Sequence, residues 1–311
     1  MVTKARTRLR SILGILWRIS LFLVVFGLIG ALFIVPFASL LAAWRDMFPI
    51  RVQMYGDVAL AMAMLASTWI MTRFVDRRPF QTIGFAPSQA PRDLTVGLTV
   101  GAVWLALSVG AAWLAGWASL RSPVTGSSSQ LAGALTALFF NTLTQQLLLC
   151  GYLFQTIRAR SSFTAALLVS AALFSALHGG AFHGAWLPFV NVFGAGALFC
   201  LAYGITGNLW LPIGIHFAWN SLLGPVLGLT VSGSDQLGIG WRVLQVEGPA
   251  LFSGGAFGLE GGLVVTITTA AGLAGMGAFF RVQVRRRNMP PTGGEANTGV
   301  KLPRARHLHR L

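Results

Sequence analysis

Three short stretches decide the fold: Thr144–Phe154 (TQQLLLCGYLF), Phe174–His178 (FSALH) and Leu209–Asn220 (LWLPIGIHFAWN). Each stretch lies inside a long apolar segment. Polar side chains are costly in such segments, and they usually face the interior of a helical bundle or a water-filled cavity. The three stretches therefore predict transmembrane helices that present polar groups to one another.

The polar side chains in these stretches are Gln145, Gln146, His178, His216 and Asn220. Asn220 follows His216 by four residues, a spacing that puts both on one face of a helix. We expect both histidines, Asn220 and Gln145 to converge on one cavity inside the membrane. The tips of both histidines and of either glutamine should lie within roughly 10 Å of one another, about two hydrogen bonds through a water.

The composition is that of a membrane protein. Of 311 residues, 55% are hydrophobic and only 10% are charged, and the mean hydropathy is +0.70. Several apolar runs are long enough to span a bilayer, and they are continuous rather than alternating, which excludes a β-barrel. We predict an all-α, polytopic helical bundle.

Eight transmembrane helices are the most economical interpretation. Their predicted bounds are Ile12–Trp44, Val58–Phe74, Leu94–Ala118, Leu131–Ile157, Thr164–His178, Leu187–Tyr203, Leu209–Leu229 and Leu259–Phe280. The chain then divides into N-terminal spans and loops (1–130), a core (131–263), the end of the last span (264–287) and a disordered basic tail (288–311).

The charge of the chain is strongly positive, with 23 Lys and Arg against 8 Asp and Glu and a formal net charge of +15. In a soluble protein this excess would suggest nucleic acid as a partner. Here the basic residues cluster at the chain ends and in short connections, which predicts cytoplasmic segments facing anionic lipid and no nucleic acid. We expect both termini in the cytoplasm of a bacterium, with the protein in its plasma membrane, and Cys150 and Cys200 as free thiols.

The three stretches resemble the motifs of the CAAX protease and bacteriocin-processing (CPBP, or Abi) family of intramembrane proteases. Those motifs read Glu-Glu-x-x-x-Arg, Phe-x-x-x-His and His-x-x-x-Asn. The later stretch Ser253–Leu263 (SGGAFGLEGGL) also resembles bacterial members of the family. The resemblance covers about Leu131–Leu263.

The second and third motifs are intact, but the first has lost every charge. Gln145 and Gln146 stand at its two glutamate positions and Cys150 at its arginine position. The resemblance implies that a glutamate activates water, while histidine and asparagine hold a metal or stabilise the oxyanion. It therefore implies zinc as a cofactor, with His178 and His216 as candidate ligands.

The replaced positions suggest that the charges were lost as a set. Gln146 and Cys150 are four residues apart, so we expect them to face each other on one helix, where the family has an ion pair. No Asp or Glu occurs between Asp93 and Asp235. We therefore expect a site without a carboxylate, and a glutamine amide cannot accept a proton from water.

Three functions remain open from the residues. The first is an endopeptidase with a substitute base that cleaves a membrane-embedded or lipidated peptide. The second is a catalytically inactive relative that binds such a peptide or a membrane protein. The third is a zinc site formed by His178, His183 and His216, since three histidines can lower the pKa of zinc-bound water to about 7. We expect the chain not to hydrolyse peptides at a rate typical of the family, because Gln145 cannot act as a base.

The topology can be tested with reporter fusions. Eight spans, with the arginine-rich connections on one side, put the segments after Arg160 and after Arg287 in the cytoplasm. Cytoplasmic reporter activity from both fusions is the expected result. A periplasmic signal from either fusion would contradict the orientation or the number of spans.

Overall fold

The computed structural model describes residues 2–121, 127–234 and 243–288. In these residues the chain forms a bundle of apolar helices and one short antiparallel ribbon, in which β1 (Ala118–Leu120) pairs with β2 (Leu244–Val246). The predicted all-α polytopic architecture is confirmed. The predicted tail beyond Asn288 lies outside the described residues.

The connections between the helices differ in length: the one between α6 and α7 is short, and the one between α9 and α10 is long. In chain order they are α1 (Val2–Ile34), α2 (Ala38–Trp44), α3 (Pro49–Ile70), α4 (Ala90–Leu114), α5 (Ser128–Gln146), α6 (Phe154–Arg160), α7 (Phe163–Leu177), α8 (Trp186–Thr206), α9 (Trp210–Ser221), α10 (Ala250–Ser253) and α11 (Leu263–Asn288).

Six stretches of the described residues are long and apolar enough to cross a membrane: Arg6–Trp44, Pro49–Val75, Pro87–Leu114, Ser128–Arg160, Trp186–Thr206 and Leu263–Arg286. The other two predicted spans correspond to α7, with 15 residues, and α9, with 12 residues followed by a π-helical turn. The number of eight spans therefore stays a prediction. The last long helix begins at Leu263 rather than Leu259, because Leu259–Gly261 forms a separate 3-10 turn.

Local sequence sets the ends of the helices that carry the motifs. α5 begins with a capping box, in which Ser127 and Gln130 each bond the other's backbone N–H through their side chains. At the start of α7, the Ser162 side chain accepts a hydrogen bond from the Ala165 N–H. α8 ends at Gly207, which adopts the left-handed conformation that glycine takes at low cost. These caps fix the starts of α5 and α7, which carry the first two motifs, and the end of α8.

A π-helical turn, Leu147–Leu153, interrupts the helix between α5 and α6. Such turns are rare and often occur at functional sites. Cys150 is fully buried against α8, with its Sγ 4.0 Å from the Sγ of Cys200. The expectation that Gln146 and Cys150 face each other stays a prediction. Both thiols are free, as expected.

Helices α4 and α9 touch backbone to backbone. A Cβ at Gly97 would overlap the carbonyl oxygen of Leu211, and a Cβ at Gly101 would overlap that of Ile215. On the other side, a Cβ at Gly214 would lie 2.7 Å from the Leu94 carbonyl oxygen. Small residues allow helices in membranes to approach this closely. The contact fixes the depth and rotation of α9, and thereby the places of His216 and Asn220.

The close contact predicts that Gly101→Ala destabilises the protein. The added methyl group must push the two helices apart, and overpacking of this kind costs roughly 1–3 kcal/mol. Gly110→Ala, on the same helix, is the matched control, because a Cβ there meets nothing within 4 Å. Thermal unfolding in detergent should show a lower midpoint for Gly101→Ala only. Equal midpoints for the two variants would contradict the contact.

Candidate functional site

A small cavity lies where α4, α7, α8, α9 and α11 meet the connection between α9 and α11. Its volume is about 30 Å³, room for at least one ordered water, which needs roughly 10–15 Å³. Its walls are formed by Trp104, Phe174, His178, Asn191, Val192, Ala195, Phe199, His216, Trp219, Asn220, Ser232, Glu260 and Val265. Mostly aromatic and aliphatic walls therefore surround a few polar groups, as in ligand and active-site pockets.

His178 presents a proton acceptor to this cavity. It directly follows Leu177, the last residue of α7, and its Nδ1 lies 2.8 Å from the carbonyl oxygen of Phe174. A carbonyl oxygen can only accept, so Nδ1 must carry the hydrogen. In the neutral imidazole the other nitrogen, Nε2, then holds a free lone pair.

His216 presents a hydrogen-bond donor to the cavity. It is buried on α9, and its Nδ1 lies 3.0 Å from the amide nitrogen of Gln146. Since an amide nitrogen only donates, Nδ1 must accept, and the hydrogen of the neutral ring is on Nε2. The ring stacks on Phe199, with 4.6 Å between ring centroids, which holds its plane.

The two histidines lie on either side of one aromatic ring. The centroid of Phe174 is 4.8 Å from that of His178 and 5.7 Å from that of His216. Asn220, one turn after His216, lines the same cavity and is also buried. The cavity therefore brings together the basic nitrogen of His178, the ring N–H of His216 and the side-chain amide of Asn220. Gln146 orients the His216 ring through its hydrogen bond.

Gln145 points elsewhere. Its amide nitrogen donates to the side-chain oxygen of Asn141 at 2.7 Å, and Asn141 donates to Asp57 on α3 at 3.0 Å. Gln53 donates to the other carboxylate oxygen at 2.9 Å. The predicted convergence of Gln145 with the histidines is therefore not found, and its neighbour Gln146 is the residue that contacts His216. Gln145 belongs to a separate buried network between α3 and α5.

The expectation that the site lacks a carboxylate is wrong. Glu260 comes from the connection before α11 and lines the cavity together with both histidines. Its Oε1 accepts a hydrogen bond from the indole N–H of Trp219 at 2.8 Å, and its Oε2 accepts from the backbone N–H and the hydroxyl of Ser232. The sequence signal was the family-like stretch Ser253–Leu263, in which Glu260 is the only acidic residue.

Glycines bring this carboxylate into place. Gly254 and Gly258 have φ values of +90° and +84°, which favour glycine, and a Cβ at Gly254 would overlap the carbonyl oxygen of Gly258. Asn191 on α8 then ties the segment down, donating to the carbonyl oxygens of Glu260 at 2.8 Å and Gly262 at 3.0 Å. The turn is thus closed on itself and fixed to the bundle.

The environment of Glu260 changes its proton affinity. Burial raises the pKa of the Glu260 carboxyl above its ordinary value, and the hydrogen bonds from Ser232 and Trp219 offset only part of that effect. A raised pKa is typical of carboxyl groups that exchange protons in active sites.

The donor set does not fit a zinc ion. Among the described residues, no group of three or more His, Cys, Asp or Glu is arranged to hold a metal. His178 has a free Nε2, but in His216 that atom carries the hydrogen, and His183 is exposed in the turn after α7. We derive no step through a metal.

Residues 127–222 match the family described as type II CAAX prenyl endopeptidase Rce1-like. The predicted resemblance to the CAAX protease family is confirmed. No curated protein and no solved structure matches the chain. The matched residues include Gln146, His178, His216 and Asn220, whereas Glu260 lies outside them.

The role of Gln146 can be tested without any activity assay. Nitrogen-15 NMR of labelled histidine reports which ring nitrogen carries the hydrogen, and His216 should show the Nε2–H form in the unmodified protein. Gln146→Leu removes the hydrogen bond that favours this form, so it should produce a mixture of both. Gln145→Leu, which changes the neighbouring network alone, should leave the His216 signal as it was. The same spectrum for both variants would contradict the assignment.

Proposed function

We propose that this protein is an intramembrane endopeptidase of the CAAX-protease type, in which His178 rather than a motif glutamate takes the proton of the attacking water. The observation that carries the proposal is that two histidines in one cavity bond through Nδ1 to opposite kinds of partner, a carbonyl oxygen for His178 and an amide nitrogen for His216. The hydrogen bond to Phe174 leaves His178 Nε2 free to accept, and the hydrogen bond from Gln146 leaves His216 Nε2–H free to donate.

The reaction then follows from these groups. His178 Nε2 removes one proton from a water, whose oxygen bonds to the carbonyl carbon of the scissile peptide. The electron pair of the carbonyl moves to its oxygen, where His216 Nε2–H and the Asn220 amide stabilise the negative charge. When the C–N bond breaks, the imidazolium of His178 returns the proton to the leaving amine. The products are a carboxylic acid and an amine.

The surroundings decide which substrates can reach the site. The motif helices lie in a bundle with apolar, lipid-compatible outer faces, so a substrate must be embedded in the membrane or carry a lipid. We propose such peptides or proteins as substrates and anionic lipid as a partner of the arginine-rich connections. The proposal includes a bacterial plasma membrane and cytoplasmic termini.

A second candidate is a relative that binds membrane segments without cleaving them. It is favoured by Gln145 and Gln146, which stand where the family has glutamates and cannot serve as bases. Under the first candidate the same replacement makes hydrolysis slower than is typical of the family, because histidine acts without the carboxylate of the motif.

Cleavage of a membrane-segment reporter by purified protein distinguishes the two candidate functions. His178→Ala should lower the rate by about 10²–10⁴-fold, the usual contribution of a general base. His216→Ala should lower it by about 10²–10³-fold, as expected for an oxyanion donor. His183→Ala is the matched control, because this exposed histidine lies in the turn after α7 and should leave the rate unchanged.

Two results would contradict the proposal. Absence of cleavage by the unmodified protein, with retained binding of the segment, would favour the second candidate. Cleavage that requires a stoichiometric zinc ion, measured by elemental analysis and removed by a chelator, would show that the histidines act as ligands instead.

A further inference from the structure

The cavity contains a carboxylate that the proposed mechanism has not used. We propose that Glu260 is a further catalytic residue of this site: its carboxylate accepts a hydrogen bond from the attacking water and supplies the negative charge that the first motif has lost. This inference rests on the proposed function, and it assigns the charge to a different element of the chain.

The size of the cavity supports a shared water. A volume of about 30 Å³ is walled by Glu260 and by both histidines, and a buried water usually makes about three hydrogen bonds to polar groups. One water in so small a space can contact His178 and Glu260 together. Its two hydrogens then point to His178 Nε2 and to the carboxylate, and one of its lone pairs is free for the carbonyl carbon.

The hydrogen bonds of the carboxylate leave room for this water. A carboxylate offers about four acceptor positions. Trp219 uses one on Oε1, and the N–H and hydroxyl of Ser232 use two on Oε2. These are the partners of the carboxylate among the described residues, and with them one position remains in a group that lines the cavity.

A purely structural role explains the arrangement less well. Burying a carboxylate costs several kcal/mol unless the group is well paired, and no Lys or Arg is among the described residues that line the cavity. A neutral side chain could hold Trp219 and Ser232 without that cost. The negative charge does have a purpose when His178 becomes positive during the reaction, because it then balances the imidazolium.

With this assignment, every hydrogen of the attacking water is accounted for. One hydrogen of the water moves to His178 Nε2 as the oxygen bonds to the carbonyl carbon. The other hydrogen stays on the oxygen, bonded to Glu260, and becomes part of the new carboxylic acid. Glu260 itself starts and ends as a carboxylate.

The test compares Glu260→Gln with the unmodified protein in the reporter assay. Gln keeps an oxygen acceptor for Trp219 but removes the charge, so kcat should fall by at least about tenfold, as for a general catalytic group, with KM unchanged. Glu247→Gln is the matched control, because this exposed carboxylate lies in the same connection and pairs with Arg121 at 3.8 Å. It should leave both constants unchanged.

A second variant separates charge from structure. Glu260→Asp keeps the negative charge but shortens the side chain, whereas Glu260→Gln keeps the length and removes the charge. The kcat of Glu260→Asp should exceed that of Glu260→Gln by at least about tenfold. A structural anchor would show the reverse order, because the shorter side chain loses contacts that Gln keeps. Thermal unfolding checks that both variants fold; if Glu260→Gln does not, Glu260→Asp is compared with Glu260→Ala, and an equal kcat of the two would contradict the inference.

The outcomes distinguish the two proposals. If His178→Ala is inactive while Glu260→Gln matches the unmodified protein, the inference on Glu260 is wrong and the proposed function stands. If Glu260→Asp loses as much activity as Glu260→Gln or more, Glu260 is an anchor and the inference is also wrong. If the unmodified protein does not cleave beyond the level of His178→Ala, both proposals are wrong.

Discussion

The site depends on one hydrogen bond, that from Gln146 to His216. Deep in an apolar bundle, an imidazole without a partner would lose the full free energy of its hydration, so the buried ring must be satisfied inside the protein. The bond does this and also decides which nitrogen keeps the hydrogen. A glutamine in place of a glutamate thus does more than remove a base: it makes His216 a neutral donor.

The close packing of α4 and α9 fixes the geometry of the hydrogen bond between Gln146 and His216. Because glycines let the two backbones touch, α9 cannot slide or rotate without a clash, and His216 and Asn220 stay on the cavity side. The rings of Phe174 and Phe199 then hold the histidines from the sides. A site fixed in this way needs little rearrangement when charge develops on a substrate, which is the main source of electrostatic catalysis.

Much of this arrangement could be predicted from the sequence. The apolar runs indicated a helical membrane bundle, and the spacing of His216 and Asn220 put both on one helix face. The residues that contact the histidines were harder to predict from the sequence. Gln145 and Gln146 are adjacent, so they point about 100° apart on a helix, and nothing in the sequence tells which of them faces the histidines. The π-helical turn after Gln146 was likewise not indicated by the apolar pattern of the sequence.

The sequence by itself determined the class of protein, the helices of the motifs and the side chains that are costly to leave in lipid, because these follow from local composition and period. Only the tertiary structure decided that Glu260 belongs to the site. It lies 40 residues after Asn220 in the chain, in a glycine-rich turn without period, and reaches the cavity because Asn191, Trp219 and Ser232 bind its backbone and carboxylate. Contacts between residues so far apart depend on how the helices pack, and no local pattern encodes them.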